Sequence, residues 1–531
     1  MIFGRVKSLD AILRTAEKKS LTRTLGAFQL TMLGVGAIIG TGIFVLTAEA
    51  AQKAGPGMMI SFIIAGFVCA VAALCYSEMA SMVPVSGSAY TYSYAVMGEL
   101  LAWMVGWALV LEYAVAAGAV SVGWSGYFVG LLREYLGVSL PAELVNANAL
   151  IAQVQVMFGA VPSPEIQSAL ATGGYVNLPA MLIALLVTWL LVVGTKESAF
   201  VNSILVVIKI TALTVFCILA LPVMNSTNFE PFSPLGFGGI SAAAASIFFA
   251  YVGFDAVSTA AEETKNPQRN MPIGLIGSLA ICTIFYILVA AGVIGSVGAQ
   301  PLLDAAGNGI HPGDTTAMAA ACASVAGEAV VCSKEALAWT LREIGWQQIG
   351  NLIGLAAGIA LPSVILMMMF GQTRIFFVMS RDGLLPEKLS KVHPKYGTPH
   401  VVTIITGVFV AMFAALFPVG ALADISNSGT LFAFAMVAIA VLVLRKTDPD
   451  RKRPFRTPAI MVTAPIAVAG CLYLFFSLSW YTLQLFVGWA VLGLIIYFAY
   501  SRGHSHVGRG LDESHEHEAY EELEPPVPGT H

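Results

Sequence analysis

The sequence predicts an all-α integral membrane protein with about twelve membrane-spanning helices. Hydrophobic residues make up 57% of the 531 residues and charged residues only 11%, whereas a soluble domain carries about 25% charged residues. A large soluble core would still need a charged surface, but a surface that faces lipid does not. The predicted environment is therefore the lipid bilayer, and no basic stripe suggests a nucleic-acid partner.

Twelve apolar runs approach the roughly 20 residues that a helix needs to cross a membrane. The third run could form one long tilted helix or one helix followed by an interfacial turn. The runs lie near 27–50, 57–81, 98–130, 175–193, 200–221, 236–260, 271–296, 347–377, 400–418, 423–444, 459–479 and 481–500.

Lysine and arginine are distributed asymmetrically between the predicted loops. If the N-terminus is inside and the spans alternate, the external segments hold only four of the 27 basic residues: Lys53, Arg133, Lys334 and Arg342. Positive charge favours the cytoplasmic side, so we expect a multi-pass protein of the cell (plasma or inner) membrane with both termini cytoplasmic. The first apolar run is too long for a signal-peptide core. The leader around Leu9 is either an interfacial helix or a disordered basic segment.

These assignments divide the chain into five parts. They are a cytoplasmic segment 1–26, a first half 27–222 with helices 1–5, a second half 223–444 with helices 6–10, helices 11–12 at 445–500, and a disordered cytoplasmic tail at 501–531. The long external loop near 297–346 holds Cys322 and Cys332, the only cysteines outside predicted spans. On an oxidising side they could form a disulfide, or they could remain two free thiols.

Glycine-rich segments interrupt two of the predicted spans. Helix 1 has four glycines between Gly34 and Gly42, and helix 6 contains the segment Phe249–Asp255. Either segment alone could be a packing surface of small residues. Their positions correspond if helices 1–5 and 6–10 form an inverted repeat, and paired interruptions of this kind indicate the central site of a transporter. Together they favour two broken helices.

Broken helices expose backbone groups of opposite polarity. The freed N–H groups after Ile39 suit a carboxylate, and the freed carbonyls near Ile38, Phe249, Ala250 and Val252 suit an ammonium group. A site that holds both has the shape of an amino acid's shared backbone.

Charged residues inside the spans are functional candidates, because a charge at mid-bilayer is costly. Lys209 lies midway along helix 5, where burial would let it exchange a proton near neutral pH; the alternative is snorkelling to the membrane edge. Glu112 could pair with a polar group or with a cationic substrate, and Asp255 could hold the broken segment in place. Glu78 is expected to form a gate or structural contact.

Other chemistries have little support in the sequence. There is no phosphate-binding Gly-Lys-Ser/Thr loop, and no intramembrane His or Cys cluster suggests a metal or a nucleophile. We therefore expect no enzyme activity, no metal and no cofactor.

The motifs around these candidates resemble a known family. Gly36–Phe44, Glu78 and Pro84–Tyr90 resemble the amino acid–polyamine–organocation (APC) superfamily of permeases. Phe248–Asp255 followed by Glu262–Pro267 resembles its cationic-amino-acid-transporter branch in the bacterial form. The resemblance covers roughly residues 20–500. Animal members of the branch have two further helices, which the twelve spans predicted here do not include.

The resemblance implies a five-plus-five inverted repeat with broken helices 1 and 6 plus two additional helices. It also implies that Thr41 and Gly42 receive the substrate carboxylate, and that Lys209 sits where sodium-coupled relatives bind sodium. Because helix 8 lacks an adjacent Ser/Thr pair near Ser363, protons are favoured as the coupling ion. The expected substrate-binding residues are Ile38, Ile39, Gly40, Thr41, Gly42, Phe249, Ala250, Val252 and Phe254.

The leading hypothesis is amino-acid import by proton symport with alternating access. A sodium-independent exchanger, a polyamine carrier and a non-transporting amino-acid sensor are the alternatives. Phe254, Val252 and the segment 116–119 suggest an apolar pocket for a neutral amino acid such as alanine, whereas Glu112 could favour a cationic one. A small membrane subunit as a further partner is left open.

Overall fold

The computed structural model describes residues 5–7, 9, 25–84, 87–157, 167, 170, 173–194, 199–261, 264–304, 307–310, 314–325, 328–391, 393–396 and 398–510. The leader helix predicted near Leu9, the motif residues Glu262 and Glu263 and the tail from residue 511 lie, wholly or in large part, outside the described residues.

Apolar helices dominate the described part of the chain and confirm the predicted all-α, multi-span membrane fold. Seven are long and apolar enough to cross a membrane, and five more are shorter apolar helices. They form helix 1 (Ala27–Ile38, Thr41–Phe44 and Leu46–Ala54), helix 2 (Met58–Met82), helix 3 (Glu99–Leu136), helix 4 (Leu178–Val193), helix 5 (Ala199–Ala220), helix 6 (Gly236–Ile247, Phe248–Tyr251 and Ala256–Thr259), helix 7 (Pro267–Val297), helix 8 (Gln347–Arg381), helix 9 (His400–Leu416), helix 10 (Val419–Thr447), helix 11 (Ile460–Phe476) and helix 12 (Trp480–Ile496).

The packing of helices 1–5 and of helices 6–10 follows one pattern, in which each helix of the first half corresponds to the helix five places later in the chain. Helix 1 packs against helix 7 as helix 6 packs against helix 2, and helix 3 packs against helix 10 as helix 8 packs against helix 5. Helices 2 and 7, 3 and 8, and 4 and 9 pack against their own counterparts. This is the contact pattern of a five-plus-five repeat. The domain boundaries at residues 222 and 444 stay predictions.

Helix 3 is the longest of the described helices. It is one continuous helix and not a helix followed by an interfacial turn, the alternative that the sequence left open. It runs without interruption for 38 residues, from Glu99 to Leu136. At about 1.5 Å per residue it is far longer than the roughly 30 Å hydrocarbon core. Gly98 and Gly137 flank it with positive φ angles of 95° and 64°, which L-residues with side chains rarely adopt.

Short elements cover the end of the bundle that is predicted to face outside, which we call the outer end. A two-stranded antiparallel sheet pairs Val145–Asn146 with Val176–Asn177. The Sγ atoms of Cys322 and Cys332 are bonded, which links the helix Thr315–Ser324 to the turn Val330–Cys332.

Residues 501–510, predicted to begin a disordered tail, are instead packed against the opposite, inner end of the bundle. Ser501 and Ser505 are fully buried. The Ser501 hydroxyl donates to the Leu384 carbonyl at 2.6 Å, and the Ser505 hydroxyl donates to the Glu99 carboxylate. The polar composition suggested disorder, but the serine hydroxyls find buried acceptors at the ends of helices 3 and 8.

The N-terminal segment reaches the same inner surface. The Glu99 N–H donates to the Arg5 carbonyl at 2.8 Å, and Lys7 Nζ lies 3.1 Å from a carboxylate oxygen of Asp382. The Tyr90 hydroxyl donates to the other oxygen at 2.7 Å. Burial alone would raise the pKa of the Asp382 carboxyl, but Lys7, the preceding arginine and the Tyr90 hydroxyl outweigh it and hold that pKa below its usual value. We call these N- and C-terminal contacts the inner clasp.

Candidate functional site

Helix 1 is interrupted in its middle, as the sequence predicted. Its first part ends at Ile38, and Gly40 adopts an extended backbone with φ −147° and ψ −145° before Thr41 starts the second part. The carbonyls that end the first part and the N–H groups that begin the second thereby lose their helical partners. The break is buried from Gly34 to Ala48, so other partners must satisfy these groups.

Helix 6 is interrupted at the corresponding position. Its α-helix ends at Ile247 and continues as a 3₁₀ turn over Phe248–Tyr251. Gly253 then adopts φ +113°, a region that is essentially restricted to glycine. A Cβ at this position would lie 3.0 Å from the Ala37 carbonyl oxygen of helix 1. The two breaks therefore face each other.

The closest approach of the two breaks is between Gly42 and Ala250. A Cβ on Gly42 would lie 2.2 Å from the Ala250 Cα and 2.5 Å from its Cβ. Only a glycine allows this crossing. The structure thus brings together the two segments that carry the predicted substrate residues, Ile38–Gly42 and Phe249–Phe254.

Tyr286 of helix 7 bridges the two breaks and was missed in the sequence. Its hydroxyl lies 2.9 Å from the Ile38 carbonyl oxygen and 2.8 Å from the Ala250 carbonyl oxygen. Two of the four carbonyls predicted for an ammonium group therefore already contact a hydrogen-bond donor, although each carbonyl oxygen has a second lone pair. A tyrosine hydroxyl buried in a membrane span usually needs a hydrogen-bond partner. This requirement is the feature of the sequence that could have identified Tyr286 as a contact of the breaks.

Lys209 contacts the same region from helix 5. Its side chain is buried, and its Nζ donates to the Gly36 carbonyl oxygen at 2.7 Å. That carbonyl belongs to the last turn of helix 1 before the break. The side chain is directed into the bundle, which disfavours the snorkelling alternative.

Glu112 and Asp255 occupy neighbouring positions that differ in their contacts. The Tyr113 hydroxyl donates to Asp255 at 2.6 Å, in keeping with a structural role for that carboxylate. The side chain of Glu112 is fully buried, and neither of its carboxylate oxygens makes a hydrogen bond of good geometry among the described residues, although the Thr430 hydroxyl lies near enough to interact with it. Such a group is costly unless something pairs with it, so Glu112 remains a functional candidate.

Aromatic side chains surround the helix 6 break on one side. The Phe254 ring centroid lies 4.9 Å from that of Phe434 and 5.9 Å from that of Tyr76. Phe248 lies 5.9 Å from Phe434. These contacts place an apolar wall beside the predicted site.

Glu78 ties helices 2 and 10 together at the inner end. Both of its oxygens accept from Arg445, at 2.7 and 2.8 Å, and Arg453 Nε lies 3.3 Å away. The Thr457 N–H donates to the same carboxylate at 2.8 Å. We call these four residues the inner cluster. The expected gate or structural contact of Glu78 is therefore an ion pair.

A second buried group of polar residues joins helices 1, 6 and 10 at the outer end. Lys53, which we predicted to lie in an external segment, is buried instead. Its Nζ lies 3.3 Å from an Asp424 oxygen and donates to Ser246, whose hydroxyl donates to Asp424. Glu49 lies beside this pair on helix 1. We call Glu49, Lys53, Ser246 and Asp424 the outer cluster.

A multi-span bundle with two broken helices facing each other is the architecture of a secondary transporter. Among the described residues, no group of His, Cys, Asp and Glu is arranged to hold a metal ion.

The chain belongs to the amino acid permease family, which matches residues 25–500. It is 44% identical over 504 residues to the branched-chain amino acid permease BcaP of Bacillus subtilis (strain 168), covering 95% of this chain and 98% of that protein. It is 41% identical over 502 residues to the methylthioribose transporter of the same organism, with 94% and 98% covered. Human cationic amino acid transporter 4 is 31% identical over 456 residues, which cover 84% of this chain and 63% of that protein. The resemblance inferred from the motifs is confirmed. The relatives are named permeases and transporters, which are not enzymes.

Proposed function

We propose that this protein imports a neutral amino acid with an apolar side chain by proton symport across the cell membrane, with both termini cytoplasmic. The observation that carries the proposal is the contact between the two breaks, with Lys209 bound to the carbonyl end of one of them. Alternating access then exposes this one central site first outside and then inside.

The substrate's backbone groups would be held by the two breaks. The N–H groups that begin the second part of helix 1, at Thr41 and Gly42, point a positive helix end at the substrate carboxylate. Carbonyls of Ile38, Phe249, Ala250 and Val252 receive its ammonium group. The Thr41 hydroxyl supports this role, because it is buried without a hydrogen-bond partner among the described residues.

The substrate side chain is expected to pack on the apolar wall formed by Phe254 and Phe434. An apolar wall favours a branched-chain amino acid over arginine, because a buried charge needs a partner. Two relatives support this class by name: BcaP of Bacillus subtilis and the branched-chain amino acid permease of Lactococcus lactis, which is 31% identical over 515 residues. Glu112 is the feature that favours a cationic substrate, and methylthioribose is a comparison substrate because of the second relative.

Lys209 would couple the proton to this movement. When it is protonated, it holds the inner part of helix 1 through the Gly36 carbonyl. Burial disfavours the charged form of a lysine, so the proton can leave when the inner end opens to water. Loss of that charge weakens the contact with Gly36 and frees the inner part of helix 1 to move.

The inner and outer clusters fit the requirement that only one end opens at a time. Both are closed here: Glu78 is paired with Arg445, and Lys53 with Asp424. Opening inwards separates helices 2 and 10 at their inner ends, and opening outwards separates helices 1, 6 and 10 at their outer ends. In the proposed cycle, a conformation with both clusters closed is the occluded stage.

The test is uptake into sodium-free proteoliposomes with and without an acid-outside pH gradient. Labelled leucine, alanine, arginine and methylthioribose are compared for the native protein and for Lys209→Ala, with Lys446→Ala, an exposed lysine of helix 10, as the matched control. We expect the gradient to drive leucine accumulation, and Lys209→Ala alone to lose this dependence. Uptake that ignores pH but requires internal amino acid would identify an exchanger and contradict the coupling role of Lys209.

A further inference from the structure

The outer cluster contains one more carboxylate than it has cations. Lys53 is its only ammonium group. The Lys53 Nζ lies 3.3 Å from a carboxylate oxygen of Asp424, and the Ser246 hydroxyl is hydrogen-bonded to both side chains. Glu49, one helical turn before Lys53, is left as the second carboxylate. If every group is ionised, the closed cluster carries an uncompensated negative charge.

The position of Glu49 makes this charge difficult to accommodate. Its carboxylate lies against Gly420 at the start of helix 10, where a Cβ would come within 1.9 Å of Oε2. Oε2 is itself buried and accepts no hydrogen bond from any residue that the structure describes. The Gly420 backbone N–H donates to the carboxylate but supplies no full positive charge, and a buried charge without a counter-ion of its own is unfavourable.

The neighbouring elements supply no further cation. Helix 1 here packs against the outer parts of helices 2 and 6, helix 10 and the turn Val330–Cys332. The sequences 58–68 and 236–250 contain no ionisable side chain, and Cys332 is in the disulfide. Lys53 and Asp424 are therefore the charged groups that these elements place against Glu49.

A cavity lies beside the cluster. The cavity has a volume of about 500 Å³ and is lined by Lys53, Asp424 and Gln52 together with Ser477 and Trp480. Glu49 does not line the cavity itself, but its neighbours Lys53 and Asp424 do, so water in the cavity would carry protons between the outside solution and the cluster.

We propose that Glu49 is a second proton-binding site, separate from Lys209, which takes up one proton from the outside solution when the outer cluster closes over substrate. The proton binds the Glu49 carboxylate as helices 1, 6 and 10 come together, and returns to the same solution when they separate. This inference rests on the proposed transport function and adds to it the control of the outer gate. External acid then favours substrate capture even without a pH gradient.

The experiment is leucine counterflow in proteoliposomes with the same pH inside and outside, which removes the driving force of the gradient. For the native protein, the KM for leucine should fall as pH is lowered from 8 to 5, by up to about tenfold per pH unit within the titration range of one proton. Glu49→Gln mimics the protonated acid and should give a low KM that no longer depends on pH.

Charge balance predicts the sign of two further variants. Asp424→Asn leaves Glu49 paired with Lys53, so its KM should also lose its pH dependence. Lys53→Met leaves two carboxylates without a cation, so its pH dependence should become stronger. Glu134→Gln, at the outer end of helix 3 and bonded to Gln347, is the matched control and should keep the native profile. A purely structural role of the cluster does not predict this pattern.

The two proposals fail in different ways. If a pH gradient does not drive uptake by the native protein, the symport proposal fails. If the gradient drives uptake but the counterflow KM is constant from pH 8 to 5, or Glu49→Gln retains the native profile, the Glu49 proposal alone is overturned. A folded but inactive Glu49→Gln also overturns it. Should Glu49→Gln not be recovered as a monodisperse protein, Asp424→Asn and the native profile decide the question.

Discussion

Replacing Gly42 with alanine tests whether the contact between the two breaks is the basis of transport. The new Cβ would lie 2.2 Å from the Ala250 Cα, whereas non-bonded carbon atoms settle at about 3.5–4.0 Å. The segments must therefore separate by at least about 1.3 Å, since the atom in the way belongs to the backbone and cannot rotate aside.

The expected loss follows from that displacement. Overpacking of this kind costs about 1–3 kcal/mol of stability, which a folded protein can survive. A misplacement of about 1 Å costs an enzyme roughly a hundredfold in rate. We expect a comparable fall in leucine uptake, because the N–H groups of helix 1 and the carbonyls of helix 6 would no longer converge on one substrate.

Leucine uptake and thermal unfolding in detergent are measured side by side. Gly354→Ala on helix 8 is the matched control, because its new Cβ would meet no atom closer than 3.7 Å and should leave uptake unchanged. Native uptake by a folded Gly42→Ala variant would refute the view that the crossing of helices 1 and 6 forms the substrate site.

Three further predictions concern buried contacts, each measured by thermal unfolding. Glu78→Gln breaks a buried ion pair and should cost about 3–5 kcal/mol, whereas Asp448→Asn, in a more exposed pair, should cost at most about 1 kcal/mol; equal losses would contradict this. Tyr286→Phe removes the one hydroxyl proton that two buried carbonyls share and should cost about 1–3 kcal/mol, so an unchanged melting temperature would show that its bridge contributes nothing. Asp382→Asn should lower the melting temperature at pH 7. Because the folded pKa of this carboxyl lies below its unfolded value, its contribution is present above about pH 4 and is lost as pH falls through the folded pKa; a difference that vanishes already at pH 6 would contradict the pairing with Lys7.

The apolar runs and the paired glycine segments were sufficient to predict the helices and the two breaks. Both signals are local: a span needs a continuous apolar segment, and an interruption such as Gly40 or Gly253 stands out within it. The burial of Lys209 followed for the same reason, because ten residues of apolar helix precede it.

Contacts between distant segments could not be predicted in this way. Tyr286 looks like an ordinary packing residue of helix 7 until the breaks in helices 1 and 6 place their carbonyls beside it. Lys53 lies at the end of an apolar run and therefore suggested a loop, but helices 6 and 10 cover it with Ser246 and Asp424. The segment 501–510 is polar in composition, and only the position of Glu99 shows why Ser505 is buried.

The inner clasp has a practical consequence for work on this protein. Two segments outside the twelve helices contact the inner ends of helices 3 and 8. Arg5 and Lys7 belong to the N-terminal segment, and Ser501 and Ser505 belong to the C-terminal one. A truncation at residue 500 would therefore remove the buried hydrogen bonds of Ser501 and Ser505, and not only an unstructured tail. Purification tags and fluorescent reporters are best attached beyond Gly510, where they leave these contacts in place.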